Sequence, residues 1–400
     1  DGLQGFLLSY LTTEDRRWWD LADPLARHII DIDIYHTQHD RAVYSGGLFW
    51  HTSHYVDAVT CTHRSYSRKT HPQGGGGLSN EHNYTSGLLL YYYLTGNRQA
   101  RQAVESLAEW VIGMDDGRRH VLGVVHDEPT GFASQTTEPD YHRPGRGAGN
   151  SINALLDGWL ATGRHEFLAK AKELIRRTIH PRDDVASLDL GNAELRWSYT
   201  VYLQTMLRIL AFDGEFGFSQ ELLTYIKESV LAYARWMAEH ERFYLDQPEL
   251  LEYPTETWAA QELRKANVLM GAAVYAEDTD AGAFRQKAEW IYKRAWQTLM
   301  GMPTRTYTRP TILSIQLGLV EAAVRNQPSA SWAISNQLAA GHATAAPFVA
   351  QKTAFRQVLR SPVGIVAAGC RSLRIWRWPA PLRATWLAQR LRTWRQRWLP

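Results

Sequence analysis

The sequence predicts an all-α fold, an (α/α)6 toroid of antiparallel helix hairpins followed by a basic, Arg/Trp-rich C-terminal tail. Three observations predict it. Helix-period stretches follow one another with almost no two-residue alternation, so strands should be few. Tight glycine turns such as Thr95-Gly96-Asn97 and Thr162-Gly163-Arg164 join the helices in pairs, and turns that short force antiparallel neighbours. The units also vary in length and share no consensus, whereas a solenoid would repeat at a fixed period of about 34 to 47 residues. A closed ring of hairpins is therefore preferred to an open solenoid.

Taken in order, the first predicted helices cover 3–11 and about 18–35, with Asp20, Asp23 and Pro24 as start signals inside the second. A third at 54–67 precedes the run Gly74 to Gly77. The next pair, 80–94 and 98–114, turns at Gly96. Ser79 or Asn80 is placed to cap the first of these, and Glu81 in its opening turn suits the helix dipole. Its leucines and at least one of Tyr91, Tyr92 and Tyr93 belong to the core. An irregular stretch over 115–149, rich in Gly, Pro, His and Asp, is too long for a plain connector and marks a functional loop. Helices then resume at 151–162 and 165–179, 195–212 and 220–239, 258–276 and 283–299, and 310–324.

Residues 1–326 form the predicted toroid and 327–400 the tail, a small-residue linker followed by an amphipathic helix or disorder. From Ala322 onward there are twelve Lys/Arg and no Asp or Glu, while the preceding residues carry a net charge of −9. Leu387, Leu391, Trp394 and Trp398 fall on one helical face with arginines between them. That pattern suits an anionic membrane surface, but packing on the body or on an absent domain is the favoured reading. Nucleic-acid binding is not expected. The 400 residues are 44% hydrophobic, with a mean hydropathy of −0.37, and suffice for a large core. Two cysteines exclude a disulfide framework and a Cys-rich zinc module. The chain opens Asp-Gly rather than with Met, which suggests a fragment or processed product and leaves localisation open.

Sixteen tryptophans and nineteen tyrosines suit both a large core and a carbohydrate site, where aromatic faces stack on sugars. Eleven of the fifteen histidines lie between His28 and His142. They fall on predicted helix ends and loops: Tyr35 and His36; Trp50, His51 and His54; His82 and Tyr84; and Asp140, Tyr141 and His142 with Arg146. This concentration points to a polar cleft at one mouth of the ring. The His51, His54, Asp57 spacing, with His63, His71 or His82 added, invites a zinc reading. Steps of three on a helix rotate by roughly 60° each, so the side chains splay. HExxH is absent, and no metal or cofactor is expected. The glycine run lacks the Lys-Ser/Thr of a phosphate loop.

Two chemistries fit these residue types. Glu81 with Glu138 or Asp140 could serve glycoside hydrolysis. β-Elimination at a uronate instead needs a cation at the carboxylate, a base for the C5 proton and an acid for O4. His82 and Tyr84 as base and acid, Arg146 at the carboxylate, and His54 and His51 nearby match that demand. A non-catalytic glycan-binding domain is the third reading. In every case the partner is a poly- or oligosaccharide.

The order Asp31-Ile32-Asp33-Ile34-Tyr35-His36-Thr37, Gly46-Gly47-Leu48-Phe49-Trp50-His51, His54-Tyr55, Asn80-Glu81-His82 and Gly87-Leu88-Leu89-Leu90-Tyr91-Tyr92-Tyr93-Leu94-Thr95-Gly96 resembles the C-terminal α/α toroid domain of the exo-rhamnogalacturonan lyase, YetA-like family. The resemblance is dense over about 1–165, architectural to about 326 and absent from the tail. It implies pectin-backbone lyase chemistry, acting on a rhamnogalacturonan-like glycan, and β-rich domains upstream in the same polypeptide.

Overall fold

The computed structural model describes residues 1–36, 46–47, 80–117, 121–124, 126, 128–136, 141–325 and 348–372. Among these the fold is helical, with no β-strand. The helices are α1 (Gly2–Thr13), α2 (Arg16–His28), α3 (Ser86–Thr95), α4 (Arg98–Asp115), α5 (Arg146–Thr162), α6 (His165–Thr178), the short α7 (Ala193–Arg196), α8 (Tyr199–Ala211), the short α9 (Asp213–Phe216), α10 (Gln220–His240), α11 (Glu256–Ala273), α12 (Asp278–Gly301), α13 (Thr308–Arg325), α14 (Gln351–Val358) and α15 (Pro362–Ser372). The predicted helix at 54–67 lies outside the described residues.

Connections alternate between short and long. At one end the chain turns through residues in the left-handed region: Glu14 (φ 56°), Gly96 (φ 68°), Gly163 (φ 72°) and Gly217 (φ 58°). A Cβ on Gly96 or Gly163 would meet nothing within 4 Å. Backbone conformation, not space, therefore calls for glycine there. Asn97 then caps α4 by accepting from the amides of Gln99 (2.9 Å) and Ala100 (3.1 Å). The other end carries the long connections, including those from α2 to α3 and from α4 to α5.

Six helices pack side by side in the order α1, α3, α5, α8, α11, α13, and α13 packs again on α1. The contacts advance together along each pair. Gly2 faces Ile312 and Gly5 faces Ile315; Gly149 faces Tyr202 while Asp157 bonds Arg208; Gln204 bonds Arg264 while Leu207 faces Gly271. These helices thus run parallel, with their N-termini at the end where the long connections arrive. Helices α2, α4, α6, α10 and α12 each pack on the helix they pair with in sequence. The main core lies among α4–α6, α8 and α10–α12, and a second core among α1–α4.

Several boundaries differ from expectation. Helix α2 begins at Arg16, capped by Asp15, and carries Pro24 inside it. It ends in a π-helical turn, Ile29–Asp33, before Tyr35. The segment predicted as one helix over 80–94 divides into a 3-10 turn, Asn80–His82, and α3. Asn80 does not cap α3, because its amide donates to the carbonyls of Ala133 and Gln135, both at 3.1 Å. The carboxylate of Asp1 instead accepts from the Gly87 amide (2.8 Å) and from the Gln4 amide (3.1 Å), joining the starts of α3 and α1. A Cβ on Gly87 would sit 2.7 Å from the Gln4 nitrogen, so this approach requires glycine. Leu88, Leu89 and Tyr91 are core, whereas Tyr93 is 55% exposed.

Two buried ion clusters pin the long connections to the helices. Asp115, at the end of α4, accepts from both Nη atoms of Arg177 (2.8 Å each) and from Lys170 (2.5 Å). Its backbone carbonyl receives the Thr130 amide at 2.7 Å. In the second cluster Lys265 lies 2.7 Å from Glu241 and 3.2 Å from Glu262, and its Nζ donates to the Arg242 carbonyl at 2.6 Å. Tyr199 donates to Glu241, and the Tyr244 amide donates to Glu262.

Of the tail, 348–372 docks on the connection between α4 and α5. Phe348 lies under the Arg177 guanidinium (4.3 Å) and against His142, while the Gln351 backbone amide and side chain donate to the carbonyls of Pro129 and His126. Among the described residues no helix is long and apolar enough to cross a membrane. Residues 373–400, with the Arg/Trp pattern, lie outside the described residues.

Candidate functional site at the helix N-termini

The 3-10 turn Asn80–His82 is held from two sides. Asn80 fastens it to the 133–135 backbone, and Asn150 on α5 donates to the Glu81 carbonyl. This delivers the buried Glu81 carboxylate to Arg146, whose Nε donates to Oε2 at 2.8 Å and whose Nη2 reaches the same oxygen. Arg146 was expected in a loop; it is the first residue of α5. Its guanidinium also lies over the Trp197 ring at 5.4 Å. His82 and Tyr84 meet edge to face, with ring centroids 5.8 Å apart, and both are partly buried.

Behind them stands Arg264, on the third turn of α11. Its Nε donates to Gln261 Oε1 and its Nη1 to Gln204 Oε1, both at 2.8 Å. Among the described residues no carboxylate forms an ion pair with it. Burial holds its pKa below the usual arginine range, opposed by the phenols of Tyr84 and Tyr244, while the charge of Arg146 lowers it further. Trp197 and Trp258 stand edge to face at 6.5 Å, with Tyr244 5.2 Å from Trp258. This end therefore combines a phenol, an imidazole, two guanidiniums and an indole pair.

Deeper along the same helices the polar groups are mutually satisfied. Asp157 accepts from Thr85, Ser86 and Arg208, and Arg208 also donates to Asn153. These contacts fix α3, α5 and α8 to one another beneath the site.

Of the residues expected in the cleft, Glu81, His82, Tyr84 and Arg146 come together. Tyr141 lies instead under Arg196, 4.1 Å from its guanidinium. His142 bonds Ser134 through Nδ1 (3.0 Å) and packs on Phe348, within the contact between loop and tail. The exposed His36 has its Nε2 2.6 Å from the Ile30 carbonyl, and the Tyr35 carbonyl receives the Gly46 amide at 3.0 Å. His51, His54, Trp50 and Asp140 lie outside the described residues, as does Glu138. Among the described residues no group of three or more His, Cys, Asp or Glu side chains could hold a metal ion.

Sequence reasoning missed Arg264, Gln204, Gln261 and the pair Trp197 and Trp258. Gln261-Glu262-Leu263-Arg264-Lys265 reads as the solvated face of a helix, yet Glu262 and Lys265 are fully buried. The available signal was the density of polar groups in a helix otherwise rich in alanine. Family models, curated proteins and solved structures were each compared with this chain, and none matches it.

Proposed function

We propose that this chain is an (α/α)6 toroid that binds a uronate-containing, rhamnogalacturonan-like glycan at its helix N-termini and cleaves it by β-elimination. The return of α13 to α1 in the packing order, among six parallel helices, supports the toroid. The observation that carries the chemistry is the meeting of His82 and Tyr84 beside Arg146 and Arg264. The resemblance of the 31–96 motifs to exo-rhamnogalacturonan lyases supports the substrate class.

In this reading one of His82 and Tyr84 takes the C5 proton. The electron pair of the C5–H bond becomes the C4–C5 double bond as the C4–O4 bond breaks, and the other residue protonates O4. A guanidinium at the C5 carboxylate stabilises the charge that develops there. Glu81 is a positioning residue, since its carboxylate fastens the Arg146 guanidinium to the Asn80–His82 turn.

Incubation of the protein with rhamnogalacturonan I should raise absorbance in the unsaturated-uronate band. Tyr84→Phe and His82→Ala should each lower kcat by about 10²- to 10⁴-fold. Reducing ends released without that absorbance would select hydrolysis. Glycan binding without any product would leave a binding domain.

A further inference from the structure

Arg146 and Arg264 carry the same charge at the same end of the molecule but stand in different company. Arg146 is occupied by the buried carboxylate of Glu81. Deeper along the same helices, Arg208 is occupied by Asp157. Arg264 has only the two neutral amide oxygens of Gln204 and Gln261. A guanidinium has five N–H donors, and these two bonds use one from Nε and one from Nη1. The Nη2 edge has no acceptor among the described residues, and the side chain is only partly buried.

An un-neutralised guanidinium partly withdrawn from water and close to a second cation is electrostatically unfavourable unless something anionic joins it. The two amides hold the plane of the fork and leave its charge intact. Tyr84 and Tyr244 lie close enough to act on it electrostatically. Tyr244 in turn packs against Trp258, which meets Trp197. Arg146, whose charge acts on Arg264, lies over the Trp197 ring, so the same end also offers indole rings that suit a sugar face.

We infer that Arg264, oriented by Gln204 and Gln261, is the carboxylate-binding residue of the site and selects acidic over neutral sugars, whereas Arg146 is held by Glu81 as part of the wall. The inference rests on the glycan reading proposed above and reassigns the carboxylate from Arg146. The bond is two-pronged, with both carboxylate oxygens accepting from the fork.

The test is calorimetric titration of the full chain with two probes. One is a rhamnogalacturonan oligosaccharide with free carboxyls; the other is the same oligosaccharide with its carboxyls reduced to primary alcohols. The native protein should prefer the acid by about 10- to 100-fold. Arg264→Gln should bind both equally and weakly, and Arg264→Lys should keep part of the preference, since its charge remains but its fork is lost. Circular dichroism and the melting temperature establish that each variant is folded. Equal binding of both probes by native protein, binding of neither, or an undiminished preference in folded Arg264→Gln would overturn the inference. The two proposals fail separately. Preference for the acid without unsaturated product sinks the elimination and leaves Arg264 in place. Unsaturated product with an unchanged KM in Arg264→Gln does the reverse.

Discussion

The two buried ion clusters solve the same problem with different charge balances. In the first, two cations, Arg177 and Lys170, meet the fully buried Asp115 and are shared with the half-exposed Glu173. Around Lys265 one cation meets two carboxylates, Glu241 and Glu262. Burial pushes up the carboxyls of Asp115 and Glu262 alike, but the outcomes diverge. Hydrogen bonding and charge from Arg177 and Lys170 outweigh burial at Asp115 and hold it below the ordinary carboxylate range. At Glu262 burial wins over the single shared lysine, and with Glu241 adding repulsion the carboxyl is pushed up to about 7. Depth alone does not set the ionisation of a buried acid; the ratio of cations to carboxylates does.

The largest expected effect sharpens this contrast. Lys265→Met strands two buried carboxylates and should lower stability by about 3–5 kcal/mol, measured by urea unfolding at neutral pH. A loss below about 1 kcal/mol would show that the pair shares a proton already and does not need the lysine. Arg177→Met should be milder, about 2–3 kcal/mol, because Lys170 still faces Asp115.

The two clusters should also respond to pH with opposite signs. The folded pKa of Glu262 lies above its usual 4.5, so its contribution is fully present below pH 4.5 and is lost as pH rises through about 7. That of Asp115 lies below 3.8, so its contribution is present above pH 3.8 and is lost on acidification through its folded value. Glu262→Gln should therefore remove a decline of about 2–3 kcal/mol between pH 4.5 and 7 from the stability profile. The acid limb should remain unchanged. Persistence of the neutral-side decline in Glu262→Gln would break the comparison. The smallest effect concerns the tail: Phe348→Ala should speed amide exchange across 348–372 while changing global stability by less than about 1 kcal/mol.

Local signals were legible where the physics is local. Gly96 and Gly163 mark turns that need positive φ, and the helix-period stretches mark the helices they join. The grouping of Glu81, His82 and Tyr84 is also local, since all three fall within four consecutive residues. Their orientation was not, because Asn80 is claimed by carbonyls more than fifty residues away, and this breaks the predicted helix into a 3-10 turn and α3. Charges presented the greatest difficulty. Asp115 and Arg177 are 62 residues apart and Arg264 and Gln204 are 60 apart, so nothing beside them in sequence marks them as interior. A lysine on a helix reads as solvated until the fold places Tyr199, Glu241 and Tyr244 around it.

The contact of Gln351 with the α4–α5 connection is made wholly to main-chain oxygens, those of His126 and Pro129. Such a grip is blind to side-chain identity. Substitutions along that connection can accumulate without loosening these two bonds, provided the backbone path is kept. The segment that presents Asn80's acceptors is thus clasped in two ways, by bonds indifferent to side-chain identity and by the Phe348–His142 and Phe355–His126 ring contacts, which are not.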